Sequence, residues 1–318
     1  MKEFKIGAND AGQRLDRFIG KCIPLLPSSM TQKYIRLKRF KLNGMRAQRD
    51  TRLQEGDILS CYINDEFFET PSEENAYLTI DRPKLKIVYE DENIMLLDKP
   101  VGMVCHADEN EQIYTLINHV LAYLYQKREF RPQAENAFTP ALCNRIDRNT
   151  AGIVIAAKNA EALRILNDKI KERELSKFYL CVCIGTLFPQ SGRIECFLRK
   201  DEKENKVRVY HHPVPDGRSA ITLYETQKTN EMYSLVEVEL LTGRTHQIRA
   251  TFADIGHPLL GDGKYGSGAH NRKSGETHQL LYSYRLRFDF KSDAGCLNYL
   301  KGKEFIVDDV PFAKKYFS

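Results

Sequence analysis

Hydrophobic and polar positions repeat along this chain with two different periods, and the changes of period mark its elements. Residues 153–157, Ile-Val-Ile-Ala-Ala, form an unbroken apolar run. It is too short for a helix and rich in β-branched side chains, which predicts a buried strand. Residues 86–90 and 94–99 are two more such runs around Asp91-Glu92-Asn93, the pattern of a β-hairpin. Residues 177–185 alternate, with Cys181 and Cys183 on one face, and further strands are predicted at 192–198, 205–210, 218–226 and 232–240. A helical period runs through Ile113, Leu116, Ile117, Val120, Leu121 and Leu124, with Tyr114 and Tyr123 on its flanks. It returns after the candidate cap Asn159, with Ala160, Leu163, Leu166 and Ile170 facing inward. A third helix carries Ile248, Phe252 and Ile255 on its core face and stops at Gly256 and Pro258. Many closely spaced strands with a few helices argue for an α+β domain on a largely antiparallel mixed sheet.

The first residues follow a different plan. Within 1–68, one helix starts at Arg14-Leu15 after Gly12, and a second follows Ser28-Ser29, with serine as its cap. Asn43-Gly44 is a tight-turn signal, and residues 53–59 give a turn and a strand. This is a small α/β module. Residues 69–84, acidic, polar and containing proline, read as a linker. The main domain is then 85–318, with a charged, proline-flanked loop at 127–140.

Composition narrows the setting. The chain has 318 residues, 42% hydrophobic and 29% charged, enough for one large domain plus a small one. No apolar run approaches the about 18 residues of a membrane span. The start, Met-Lys-Glu-Phe-Lys, lacks the apolar core of a signal peptide. A monomer in the cytoplasm, away from any membrane, is expected. The eight cysteines include no Cys-x-x-Cys pair and read as reduced packing residues.

The net charge of +5 says little, but its distribution says more. From position 33 to 52 stand Lys33, Arg36, Lys38, Arg39, Lys41, Arg46, Arg49 and Arg52 against Asp50, a sum of +7. Such a surface suits phosphates, and Lys33, Arg36, Lys38, Arg39 and Arg46 are the candidate RNA contacts. A plain solvated helix face has the same appearance.

The candidate chemistry centres on residues 143–152, Cys-Asn-Arg-Ile-Asp-Arg-Asn-Thr-Ala-Gly, just before the apolar run. Asp147 sits on the approach to a buried strand, where a carboxylate must be paired or hydrogen-bonded. It either carries chemistry or caps the backbone amides of its own turn through Thr150 and Gly152. A second stretch, Leu240-Leu241-Thr242-Gly243-Arg244-Thr245-His246-Gln247-Ile248-Arg249, ends a strand, turns, and starts a helix. Arg249 lies one step from the core face, and a buried arginine wants a carboxylate. Residues 261–266 lack the Gly-Lys-Ser/Thr of a phosphate loop and the third glycine of a dinucleotide site. His106, His211, His212 and His246 show no metal-ligand spacing, so no metal is expected.

Asn144-Arg145-Ile146-Asp147-Arg148-Asn149-Thr150-Ala151-Gly152 resembles the His-Arg-Leu-Asp-x-x-Thr-Ser-Gly signature of the RluA-type RNA pseudouridine synthases. Asn144, Ile146 and Ala151 depart from it. Lys99-Pro100-Val101-Gly102 and residues 242–249 resemble that family's other motifs, as do 260–266 and 280–286. The resemblance implies isomerisation of uridine to pseudouridine in structured RNA, most of all ribosomal RNA, with transfer RNA a second candidate. The glycosidic bond to nitrogen breaks and the base rejoins through carbon. Substrate and product are isomers, so no cofactor is expected.

The same resemblance makes Asp147 the catalytic carboxylate, by covalent attack or by removing a sugar proton. Either route needs it ionised, and the resemblance supplies Arg249 as the partner that favours the charged form. Tyr179 would stack on the flipped uracil, Arg145 would fill the vacated stack, and Leu280 or Leu281 would line the base pocket. Residues 14–57 resemble an RNA-binding module of the ribosomal-protein S-four type, except that Arg39-Phe40 stand where its pattern has a glycine. A non-catalytic RNA-binding protein that kept the fold is the alternative.

Overall fold

The computed structural model describes residues 1–7, 10–69, 75–131, 138–201, 204 and 206–317. It divides into two compact units, one of Met1–Lys84 with His106–Arg131, the other of Leu85–Cys105 with Pro132–Ser318. The helix expected near 113–124 therefore groups with the N-terminal residues.

In the first unit, β1 (Lys2–Lys5), β2 (Phe40–Leu42), β3 (Met45–Arg46) and β4 (Ile58–Cys61) form an antiparallel sheet in the order β1-β4-β2-β3. Asn43 and Gly44, both left-handed at φ +51° and +76°, close the β2–β3 hairpin as that dipeptide predicts. Helices α1 (Leu15–Cys22) and α2 (Ser28–Arg36) contribute Leu15, Phe18, Ile19 and Ile35 to the core. Ser28 opens α2 and does not cap it: Pro27 holds that position and its carbonyl accepts the amide and hydroxyl of Thr31. Helix α3 (Leu116–Lys127) starts later than its apolar period suggests. The Glu111 carboxylate accepts the amides of Ile113 and Tyr114, holding them in a turn, and Thr115 caps the helix through the Asn118 amide. Of the expected linker, residues 70–74 lie outside the described residues. Ala76–Thr79 make a 3-10 turn with Ala76, Tyr77 and Leu78 buried, and Tyr77 packs edge-on against Tyr125 at 5.8 Å. Of the 127–140 loop, 132–137 lie outside the described residues.

The second unit is built on one sheet. Its strands are β5 (Ile87–Glu90), β6 (Ile94–Lys99), β7 (Ala141–Leu142), β8 (Ala151–Ala157), β9 (Leu175–Ile184), β10 (Ser191–Asp201), β11 (Lys206–Tyr210), β12 (Arg218–Thr229), β13 (Tyr233–Leu240), β14 (Leu281–Phe288) and β15 (Glu304–Ile306). The predicted strand 205–210 begins at 206, residue 205 lying outside the described residues. The order is β11-β10-β12-β13-β9-β14-β8-β6-β5, with β15 on β14 and β7 on β8. All described pairings are antiparallel except β14 with β8. Every residue of β8 is buried, as its run of Ile, Val and Ala requires.

Helix α4 (Ala160–Lys171) is capped by Asn159, whose side chain accepts the Ala162 amide at 2.8 Å. Its inward face is Ala162, Leu166 and Lys169, with Leu163 and Ile170 partly buried against the core as expected; Ala160 is exposed. Helix α5 (Gln247–Asp254) buries Ile248 and Phe252, while Ile255 falls past its end and is 37% exposed. Two short helices, α6 (Gly268–Ser274) and α7 (Pro311–Phe317), complete the unit. Cys181 and Cys183 share a buried face of β9, and all eight cysteines are free.

Candidate active site

An open cleft of about 570 Å³ lies in the second unit, lined by residues 143–147 before β8, the start of β9, the end of β13 and the first turn of α5. Asp147, Arg145, Tyr179, Leu281 and Arg249 all line it. Leu280 does not; its side chain packs in the core.

The turn that carries Asp147 is fixed from three sides. Asn144, standing where the resembled signature has histidine, accepts the Ile155 amide at 2.8 Å and ties the turn back onto β8. Lys99, fully buried, donates to the carbonyls of Pro100, Met103 and Arg148 at 2.9, 2.7 and 3.1 Å. Burial pushes that ammonium down, to about 8. Gly152 lets β14 approach: it is left-handed at φ +115°, and a Cβ there would stand 2.1 Å from the Ser283 carbonyl oxygen. The self-capping reading of Asp147 fails, because its backbone carbonyl, not its carboxylate, accepts the Thr150 amide.

The carboxylate instead faces Arg249. Nη1 of Arg249 donates to Oδ2 of Asp147 at 2.8 Å. The rest of the guanidinium is clamped by Asp262, with Nε to Oδ2 at 2.7 Å and Nη2 to Oδ1 at 3.0 Å. Arg249 is 7% and Asp262 0% exposed. Burial opposes the charge on Arg249, but Asp262 and Asp147 outweigh it and hold the guanidinium above its ordinary value. Burial likewise opposes ionisation of Asp262, and Arg249 with the amides of Tyr265 and Lys264 outweighs it, so its carboxyl falls below the ordinary value. The Asp147 side chain is 29% exposed to the cleft.

Helix α5 is set by its own polar residues. Gln247, 2% exposed, donates to the Ile221 carbonyl and Thr222 hydroxyl, and accepts from Thr242 and the Arg244 amide. The alternative of a helix start with surface polar residues therefore does not hold. His246 at the N-cap is left-handed at φ +52° and places Nε2 3.7 Å from Oδ2 of Asp147. The Val207 amide donates to the Tyr265 phenol oxygen at 2.7 Å, and the phenol shares a hydrogen bond of 2.9 Å with Nδ1 of His246. Burial lowers the imidazole to about 4, so it is neutral at pH 7. Tyr179 is buried on β9 beside an irregularity of the β14 pairing at Ser283 and Arg285, and burial pushes its phenol up to about 12.

Asp262 and Tyr265 were not singled out by sequence reading, although their loop was. The signal for Asp262 was available: a buried guanidinium has more N–H groups than one carboxylate satisfies. On the N-terminal unit, Lys33, Arg36, Lys38, Arg39 and Arg46 are all exposed, and none forms an ion pair among the described residues.

Residues 93–254 match the family model described as RNA pseudouridylate synthase. An uncharacterized RNA pseudouridine synthase of Mycoplasma genitalium is 36% identical over 292 residues, covering 90% of this chain and 88% of that one. The ribosomal large subunit pseudouridine synthase C of Vibrio parahaemolyticus is 29% identical, covering 89% and 87%. Among solved structures, human RNA Pseudouridylate Synthase Domain Containing 1 shares the fold, with a TM-score of 0.54, 18% identity, and coverage of 78% and 96%. The fold and family model define an isomerase that acts on RNA. The chain belongs to the RNA pseudouridine synthases of the RluA-like branch.

Proposed function

We propose that the substrate is a uridine of large-subunit ribosomal RNA, and that Asp147 performs the isomerisation on that nucleotide after it has left the stack. The target rests on relatives of near full length named for the large ribosomal subunit. The site assignment rests on one observation: Asp147 is the cleft-facing end of a buried carboxylate–guanidinium–carboxylate chain. A carboxylate so held is fixed by a guanidinium on one side and open to a sugar on the other, the placement that attack at the anomeric carbon and removal of a sugar proton both require.

In this reading Tyr179 stacks on the everted uracil, Leu281 lines its pocket, and exposed Arg145 takes the place the base has left. The neutral phenol of Tyr179 adds no charge against the base. The N-terminal unit acts as an RNA clamp of the S-four type, supported by helices α1 and α2, the Asn-Gly hairpin and surface cations with no ion-pair partner among the described residues. In this reading the protein works as a monomer in the cytoplasm, where ribosomal RNA is its substrate; among the described residues no helix is long and apolar enough to cross a membrane.

The test uses purified protein on transcripts of large-subunit, small-subunit and transfer RNA, with pseudouridines mapped at single-nucleotide resolution. Modification confined to the large-subunit transcript is expected. Asp147→Asn should lower the rate by roughly a thousandfold or more while RNA affinity stays within a few fold. Turnover by that variant would overturn the role of Asp147, and modification of transfer RNA alone would overturn the target.

A further inference from the structure

Lys177 stands two residues before Tyr179 on β9, so both side chains leave the same face of the strand, about 6.6 Å apart along it. Both line the cleft with Asp147. The ammonium reaches the turn before α5: a Cβ built on Gly243 would meet Nζ at 3.9 Å. Among the described residues Lys177 makes no hydrogen bond, ion pair or ring contact.

Lys177 is half-buried, whereas the two buried lysines of this unit are anchored, Lys99 on three carbonyls and Lys169 on Glu174 and Ser292. Glu239 lines the same cleft but pairs in register with Phe178, one residue off, so its side chain leaves the opposite face of the sheet from Lys177. Burial without a counter-charge holds the Lys177 ammonium below its ordinary value. A desolvated, uncompensated cation costs folding free energy, so its return must come from what it meets.

We propose that Lys177 binds the phosphate next to the flipped uridine. The proposal rests on the reading that the base stacks on Tyr179. One strand repeat of two residues is of the same order as the reach of a nucleotide from its base to its phosphate. The strand thus reads both ends of one nucleotide, the aromatic ring taking the base and the ammonium the backbone. The N-terminal end of α5, one turn away, adds a favourable dipole for an anion.

The experiment compares wild type, Lys177→Met and Lys177→Arg for binding and turnover on the large-subunit transcript over a salt series. Lys177→Met should weaken binding roughly tenfold and flatten the slope of log affinity against log salt by about 0.7 to 1. It should raise KM and leave kcat at saturating RNA unchanged. Its Tm should stay level or rise, because an uncompensated charge has gone. Lys177→Arg should recover most of the affinity. In a short strand holding the mapped uridine, a neutral methylphosphonate beside it should cost wild type the same factor and cost Lys177→Met nothing. An unchanged salt slope, or a lowered Tm that arginine does not restore, overturns the phosphate contact and makes Lys177 structural. Turnover by Asp147→Asn sinks the catalytic reading instead, and the salt slope of Lys177→Met is read from binding alone.

Discussion

The two units use the same kind of charge in opposite ways. Arg249 in the second unit is 7% exposed, with its nitrogens on two carboxylates at 2.7 to 3.0 Å. Lys33, Arg36, Lys38, Arg39 and Arg46 in the first unit are exposed and have no ion-pair partner among the described residues. Water and salt screen the second set over a Debye length of about 8 Å, so it attracts a polyanion without fixing its geometry. The buried set is shielded from both and holds one carboxylate in one place. If the proposed roles hold, affinity for RNA and position of the catalytic group are separable, and each should fail alone.

The largest effect is expected at the buried end. Asp262→Asn removes the charge that clamps two nitrogens of Arg249 and leaves a desolvated guanidinium with Asp147 as its remaining carboxylate. Breaking a buried pair on one side typically costs about 3–5 kcal/mol. Urea unfolding should show a loss of that order, and the rate should fall because the guanidinium is free to turn away from Asp147. RNA affinity at low salt should barely change. A variant with wild-type stability and rate would erase the distinction drawn between the two sets of cations.

A smaller effect, of opposite character, is expected from replacing Lys33, Arg36 and Arg39 together by glutamine. If each meets a phosphate, the salt slope falls by roughly 2 to 3. Stability should move by less than about 0.5 kcal/mol and kcat at saturating RNA should hold, since the three are exposed and unpaired. A loss of kcat would mean that the clamp also positions the substrate.

How much of this was legible in the sequence follows the range of the interactions. Local signals read well: the β8 run, the Asn159 cap, the Asn43-Gly44 hairpin, and the Thr242–Arg249 string, whose buried polar ties even sharpen its match. Element edges read less well, because groups outside the apolar period decide them, as the Glu111 carboxylate does for the start of α3 and the Pro27 carbonyl for that of α2. Least legible were partners that only the fold brings together. Nothing in the pattern announces that β14 runs parallel to β8 and crowds Gly152. Nor does it show that Asp262, in a loop that resembles a family motif, completes the Arg249 clamp.

The smallest expected effect concerns a glycine that is missing. The S-four pattern carries one between the basic helix and the first strand, expected at Arg39-Phe40; the left-handed residue of that turn stands one position earlier, at Lys38, φ +60°. Its amide donates to the Ile35 carbonyl and the Arg39 amide to that of Tyr34, the paired bonds of a Schellman end, where glycine is favoured. Arg128 ends α3 in the same way, at φ +65°, with bonds to Tyr125 and Leu124. A lysine or arginine in this conformation is strained by about 1 kcal/mol. Lys38→Gly should therefore stabilise the protein by roughly 0.5–1 kcal/mol in urea unfolding, and so should Arg128→Gly. Only the change at Lys38 should weaken RNA binding, by about two- to threefold at low salt, because only Lys38 belongs to the exposed basic set. Equal losses of affinity from both would extend the RNA footprint to the end of α3. Stabilisation by both with no loss from either would show that the strained lysine is not kept for RNA.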